Sequence, residues 1–539
     1  MKDSRPNILL ITCDQLRFDY VGAYGCDFIE TPNIDRLADE GCLFANAYSP
    51  NPVCIPARHN LLTGLTARHH GFDDNYFGES AKAAPYYLPT FPQILSDSGY
   101  ETVAIGKMHF QPERRMNGFD YFYNMNELPP TREADDYAMF LKEKGYGNLN
   151  SPHGVRTCLY MQPQRSLVPE EYHGSAWVAD RAMDYLDSNR GRQPFLMWAG
   201  FIHPHPPFDI PESYAGLYRG KVDGPVRSQT PLSTLARENI TLGCLENPEA
   251  LNRVRELYAA AVTFADFQIG RIMDKLRELG LYDRTVIVFT SDHGEMLGDL
   301  GTFQKFLPYD ASCRIPMIVR YPSRLSPGSR DERFVDLNDI LPSFLDVAGV
   351  RYPADYDLPG ESLFVKEGVK NRKYQYAEHQ HGSKRWCMIR DKRYKYVYHF
   401  GDEEQLFDMS RDPKETQNLL YGEVQPEVLQ IRDRFKETLT AYEARYGLTD
   451  SVAGGKLVKR EPYQMTHYYE TNAPEFPSML VRPEEKAAMM DYGEEILAAM
   501  KGETAVKLSE NHAEEILRQI GCSEEWIECL MKRARLQGN

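Results

Sequence analysis

Four short apolar runs set the terms for this chain. Ile8 to Thr12, Thr102 to Ile105, Phe195 to Ile202 and Thr285 to Thr290 are rich in Ile, Leu, Val and Phe. They are too short for typical helices and read as buried strands. Helical patterns lie between them, at Asn33 to Glu40, Ala176 to Asn189 and Asn252 to Leu279. Strands alternating with helices predict an α/β fold with a largely parallel sheet.

The residues just after each run carry the chemistry. Asp14 and Gln15 come after the first, Gly106, Lys107 and His109 after the second, His203 and His205 after the third, and Ser291, Asp292 and His293 after the fourth. In open α/β sheets ligands bind beyond the carboxyl ends of the strands. Four strands therefore deliver acids, imidazoles and a lysine to one edge. Any one of the lysines or histidines, taken by itself, fits an exposed side chain better than a catalyst, and the acids fit surface caps of helices. Their joint placement is the argument.

A chain of 539 residues is too long for one small core and predicts a large domain with at least one smaller one. The net charge of -16 disfavours a nucleic-acid partner, since phosphate contacts need Lys and Arg. The ten cysteines show neither a CxxC pair nor a regular spacing, which argues against a disulfide scaffold and a zinc ribbon. The opening MKDSRPNILLIT looks like a first core strand and not a signal peptide, and no apolar run is long enough to span a bilayer. The expectation is a soluble, cytoplasmic protein with no membrane contact. Near residue 370 the pattern changes. Trp386 to Phe407 alternates apolar and charged residues and reads as antiparallel hairpins exposed on one face, followed by a helix from Pro426 to Tyr446. The domains expected are 1–370, 371–450 and a tail, 451–539. The tail looks helical and amphipathic over 483–500 and 508–538, and could cover a site rim or join copies of the chain in a homo-oligomer.

The segment Pro52 to Gly64, PVCIPARHNLLTG, places a cysteine before a helix with an arginine four residues on. Taken alone it fits a buried cysteine near a helix N-terminus as well as an anion-binding thiol. Cys54-x-Pro56-x-Arg58 with Leu61-Leu62-Thr63-Gly64 resembles the sulfatase motif whose cysteine is oxidised to formylglycine. Gly99 to His109 resembles that family's second motif. Asp14-Gln15, Pro204-His205-Pro206, Ser291 to Glu295 and Lys305 keep the family's order, and Gln405 to Leu419 resembles the close of its C-terminal domain. One departure is Ile55, where the family usually has a small residue.

The resemblance implies an alkaline phosphatase-like fold, with a large mostly parallel sheet flanked by helices and a smaller C-terminal α+β domain with an antiparallel sheet. It implies a hydrolase of carbohydrate or aryl sulfate esters and a formylglycine-generating maturation enzyme as partner. Asp14, Gln15, Asp292, His293 and the oxidised Cys54 would hold one divalent cation. Carboxylates and an amide oxygen suit Ca²⁺ first, with Mg²⁺ as an alternative, and the imidazole keeps Mn²⁺ open. The aldehyde made from Cys54 would hydrate to a diol. One hydroxyl would attack sulfur, and loss of the second proton, with His109 as base, would expel sulfate. Arg58 and Lys107 would hold the formylglycine oxygens, and His205 and Lys305 would bind the sulfate and protonate the leaving oxygen. HPHP offers two imidazoles; the family pattern aligns with His205 and leaves His203 a place on the rim.

Two related activities remain open. Phosphonate monoester and phosphodiester hydrolases also use formylglycine and pair Gln with His at the metal, and choline sulfatases share a stretch like GKMHF. Tyrosines along 76–87 and the segment His379-Gln380-His381 could line a sugar or aryl pocket. A homologue that only binds should have lost a key residue, and none is missing.

Overall fold

The computed structural model describes residues 5–463, apart from 77–81, 128, 130, 150–151, 155–162, 239–247 and 366–371. The helices expected at 483–500 and 508–538 lie outside the described residues. No helix among the described residues is long and apolar enough to cross a membrane.

The four apolar runs form the strands Asn7–Cys13, Glu101–Gly106, Phe195–Phe201 and Thr285–Ser291. They are four consecutive neighbours in a 9-stranded sheet, in the order Thr285–Ser291, Asn7–Cys13, Phe195–Phe201, Glu101–Gly106. All three pairings are parallel. Tyr121–Asn124 extends this parallel block at one edge. On the other side Met317–Arg320 runs antiparallel to Thr285–Ser291 and to Cys42–Tyr48, and Ser329–Asp336 closes the sheet parallel to Cys42–Tyr48. The sheet is thus mixed, with its chemistry-bearing strands all parallel.

Both faces of the central strands are buried, which is why they read as continuous apolar runs and not as alternating ones. Successive side chains point to opposite faces. Leu9, Ile11, Ile105, Met197 and Phe289 pack under the helices Pro32–Asp39, Gly174–Asn189 and Pro248–Glu278. Ile8, Leu10, Ala104, Trp198 and Val288 pack under Cys54–Thr63, Phe91–Asp97 and Ile340–Ala348. Each buried Leu, Ile or Val contributes roughly 1.5–3 kcal/mol, so the core holds the strand register firmly. That register levels the strand ends: Cys13 sits opposite both Phe201 and Ser291, and Gly106 opposite Gly200.

The glycines at this edge have a specific task. Gly106 has φ +92, and a Cβ there would lie 2.1 Å from the Gly200 carbonyl oxygen. Only glycine lets the chain turn this tightly and send Lys107 into the site.

Gln375–His379, Trp386–Arg390, Tyr394–His399 and Gln405–Asp408 form a separate antiparallel sheet. The sequence pattern predicts one exposed face here, and the structure corrects this. Cys387, Ile389, Tyr396 and Tyr398 pack towards helix Pro426–Tyr446 through Phe435 and Leu439. Trp386, Met388, Val397 and Phe407 pack against Tyr48, Leu307 and Tyr309 of the main body. Arg390 and Lys395, charged residues of this pattern, are buried because they are paired. Lys395 Nζ donates to Asp310 Oδ1 at 2.6 Å and Glu415 Oε1 at 2.6 Å, and Arg390 Nη1 to Asp310 Oδ2 at 3.0 Å.

A second ion cluster ties the long helix to the sheet. Arg385 Nη2 reaches Glu378 Oε2 at 2.6 Å and Glu443 Oε2 at 2.9 Å, with all three side chains 0–1% exposed. Removing the guanidinium leaves two uncompensated buried carboxylates. Arg385→Ala should destabilise the protein by about 3–5 kcal/mol, seen as a lowered urea midpoint. An unchanged midpoint would mean that the two acids do not depend on Arg385.

Candidate active site

From strand Cys42–Tyr48 the chain crosses residues 49–53 and enters the helix Cys54–Thr63 with Cys54 as its first residue. All ten residues of this helix are buried, and it stops at Gly64 in the left-handed conformation, φ 67. A spacing of four puts Cys54 and Arg58 on one face, and that face meets the strand ends. Cys54 Sγ lies 3.1 Å from His293 Nε2 and 3.9 Å from Asp14 Oδ1.

Asp14, Cys54, Asp292 and His293 each present one ligand atom, all four mutually within 4.8 Å and all buried. The donor chemistry tests whether a cation fits. His293 Nδ1 lies 2.9 Å from the Gly294 carbonyl oxygen, so Nδ1 carries the proton and Nε2 is a lone pair. That lone pair stands 3.6 Å from Asp14 Oδ1 and 3.8 Å from Asp292 Oδ1. Burial lowers the imidazole's pKa and keeps it neutral. The imidazole lone pair and the two carboxylates thus converge with no proton of their own between them, an arrangement that a divalent cation satisfies.

The carboxylates stay ionised against the pull of burial. Burial and the neighbouring Asp292 push Asp14 up, but the Lys107 and Arg58 charges outweigh them and its pKa ends lowered. Asp292, also opposed by burial, ends lowered as well, held there by the Arg58 and Lys107 charges. Arg58 Nε donates to Asp292 Oδ2 at 2.9 Å, Nη2 lies 3.4 Å from Asp14 Oδ2, and Nη1 donates to the Lys107 carbonyl oxygen. Lys107 Nζ joins Asp14 to Glu127.

Gln15 leaves its strand at φ 64. Its backbone N–H donates to Asp292 Oδ1 at 3.1 Å, its amide oxygen accepts from Lys305 Nζ at 2.7 Å, and its amide nitrogen donates to Glu295. It stands beside the four ligand atoms with its oxygen turned to Lys305. His205 sits across from them. Its Nδ1 donates to the Pro206 carbonyl oxygen at 2.6 Å, leaving Nε2 to accept from Lys305 Nζ at 3.0 Å. Burial drives its pKa far down, and it is neutral. His109, at φ 55, has its pKa lowered by burial and shares a hydrogen bond with Cys54.

The structure therefore brings together Asp14, Gln15, Cys54, Arg58, Lys107, His109, His205, Asp292, His293 and Lys305. His203 is not on a rim: it is 2% exposed, 3.1 Å from Asp209 Oδ1, with its ring beside that of His173. Sequence reasoning missed the part played by two acids. Glu295 stands within a recognised motif, three residues beyond Asp292, and that closeness was the available signal. Glu127 Oε2 lies 3.5 Å from His205 Nε2 and contacts Lys107, yet nothing around it in the sequence marks it.

Residues 6–350 match the family model Sulfatase, and residues 298–445 match the model N-sulphoglucosamine sulphohydrolase, C-terminal. The chain belongs to the sulfatase family. An arylsulfatase of Clostridium perfringens is 32% identical over 482 residues, covering 85% of this chain and 98% of that protein. An N-acetylglucosamine-6-O-sulfatase of Bacteroides thetaiotaomicron is 27% identical, covering 81% of this chain and 87% of that one. The crystal structure of a phosphonate monoester hydrolase of Agrobacterium radiobacter superposes with a TM-score of 0.71 at 24% identity, over 85% of this chain and 100% of that one. At that identity the likeness shows the alkaline phosphatase-like fold alone.

Sulfatase stripped with a chelator should take up one divalent cation per chain, and the bound ion should raise its thermal midpoint. Asp292→Ala should abolish both effects, read by metal analysis and a melting curve. Unchanged stoichiometry in that variant would place the ion elsewhere.

Proposed function

We propose that this sulfatase hydrolyses sulfate esters through a nucleophile made by oxidising Cys54, with one divalent cation, Ca²⁺ before Mg²⁺ or Mn²⁺, held by Asp14, Gln15, Asp292, His293 and residue 54. The observation that carries the reading is the seat of Cys54, whose sulfur stands where the attacking oxygen must be, among the ligand atoms and beside Arg58 and His109. The cation would supply positive charge to lower the pKa of the attacking hydroxyl and to stabilise the transition state. Formylglycine would supply, as its hydrate, one hydroxyl to attack sulfur and a second whose proton loss releases sulfate.

The chain's own residues divide the remaining work. Arg58 ties the start of the nucleophile helix to Asp292 and Asp14, and so orients residue 54. Lys107 faces the same oxygens and offsets developing negative charge. Neutral His109 is suited to take the proton from the second hydroxyl. His205 has its Nδ1 proton committed to Pro206 and its Nε2 lone pair to Lys305, so Lys305 is the proton donor to the leaving oxygen and His205 its orienting acceptor. The amide oxygen of Gln15, which here accepts from the same ammonium, would release it to hold the cation.

The test is expression alongside a formylglycine-generating enzyme, followed by the mass of the Cys54 peptide and rates on an aryl sulfate and an aryl phosphonate. The peptide should lose sulfur and two hydrogens and gain one oxygen, and the aryl sulfate should be the faster substrate. Lys305→Ala and Lys107→Ala should each cost about 10²- to 10⁴-fold in kcat. Aldehyde-bearing protein that cleaves only the phosphonate would move the reading to a phosphonate monoester or phosphodiester hydrolase on the same machinery.

A further inference from the structure

Two loops that the mechanism leaves unused meet beside the nucleophile. The first lies beyond the nucleophile helix. Asn75 Oδ1 accepts from the Ile55 backbone N–H at 2.9 Å, and Ile55 packs against Phe72 and Ala84. Residues 73–76 are thereby fixed against the residue next to Cys54. Gln111, two residues beyond His109, donates to the Tyr76 carbonyl oxygen.

The second loop comes from the small sheet. Glu378 N donates to the Pro50 carbonyl oxygen at 2.9 Å, and Asn51 Nδ2 to the Glu378 carbonyl oxygen at 3.1 Å. The strand end is thus held to the approach of the nucleophile helix. His379 comes next, 1% exposed, with its ring 5.5 Å from that of Phe306, the residue after Lys305. Its Nδ1 has no hydrogen-bond partner among the described residues. A buried ring nitrogen without a partner is one that a ligand can satisfy.

The loops join through one carboxylate. Gln380 N donates to the Asp73 carbonyl oxygen at 2.9 Å. His381 Nδ1 lies 2.7 Å from Asp73 Oδ2, and Tyr76 Oη donates to Asp73 Oδ1. Asp73 is recessed, at 10% side-chain exposure, whereas His381 stands out at 59%. Asp73 Oδ2 keeps a second lone-pair site, Oδ1 also faces Lys82 Nζ at 3.8 Å, and the Nε2 of His381 keeps its own hydrogen-bonding capacity. The result is a carboxylate acceptor flanked by an imidazole and an ammonium donor, the chemistry that pairs with hydroxyl groups. A plain aryl or alkyl group would cover these polar atoms without pairing them, which disfavours it.

We propose that Asp73 and His381, steadied by Tyr76, bind hydroxyl groups of a sugar next to its sulfated carbon and so select carbohydrate sulfates over simple aryl sulfates. The inference rests on the proposed sulfate-ester hydrolysis and names the leaving group for it.

The experiment uses the full chain with its aldehyde content confirmed by mass. It compares kcat/KM on monosulfated hexoses and N-acetylhexosamines with kcat/KM on 4-nitrophenyl sulfate, whose leaving group has no neighbouring hydroxyls. The wild type should turn over at least one sulfated sugar more efficiently than the aryl sulfate. Asp73→Asn and His381→Ala should each lose about tenfold or more on that sugar, mainly through KM. Both variants should stay within about twofold of wild type on the aryl sulfate, which also reports that they fold. His381→Gln should recover part of the sugar rate by restoring a hydrogen-bonding group. Equal losses on both substrate types, or a wild type that cleaves the aryl sulfate and no sugar sulfate, would overturn the inference and leave sulfate-ester hydrolysis standing. Failure on every sulfate would instead defeat the function on which it rests.

Discussion

Asp14 and Asp292 end adjacent strands as two carboxylates with side chains no more than 1% exposed. Buried like charges this close are tolerated only if positive charge stands between or against them. Arg58 touches both, and Lys107 touches Asp14. The same contacts fix the helix that begins at Cys54. The four clustered ligand atoms and the position of Cys54 are therefore held by one electrostatic arrangement. The parallel register supports it by ending the strands at a common level.

The small sheet belongs to the site as much as to the scaffold. It is buried on both faces, and its charges cross into the main body through Asp310, where Lys395 and Arg390 converge. On its edge strand, Arg385 pins Glu378, whose backbone is bonded to Pro50 and Asn51. A disturbance of that ion cluster would reach Pro50 and Asn51, on the approach to Cys54. On the proposed reading, this linkage lets a site built on one sheet take part of its specificity from another.

The central strands and most site residues were legible because buried parallel strands read as plain apolar runs, and because each run ends in a reactive side chain. Cys42–Tyr48 and Ser329–Asp336 were not, since the first mixes polar residues into its run and the second is charged and half exposed. The expectation of an exposed face on residues 386–407 failed because pattern alone cannot tell a solvated charge from a paired one. Lys395 is fully buried only because Asp310 and Glu415 meet it from distant segments. Glu127 was invisible for a related reason: its partners Lys107 and His205 lie in other segments of the chain. His203 looked like a spare imidazole and is instead taken up by Asp209.

The central claim is that residue 54 attacks sulfur and that a second hydroxyl on the same carbon releases the product. Cys54→Ser keeps one hydroxyl and removes the other, so the mass of that variant after incubation with 4-nitrophenyl sulfate tests both halves together. The prediction is a single sulfuryl group attached to the peptide that carries position 54, one equivalent of nitrophenol, and then arrest. Continued turnover by the serine variant, or sulfuryl transfer to a different residue, would contradict it.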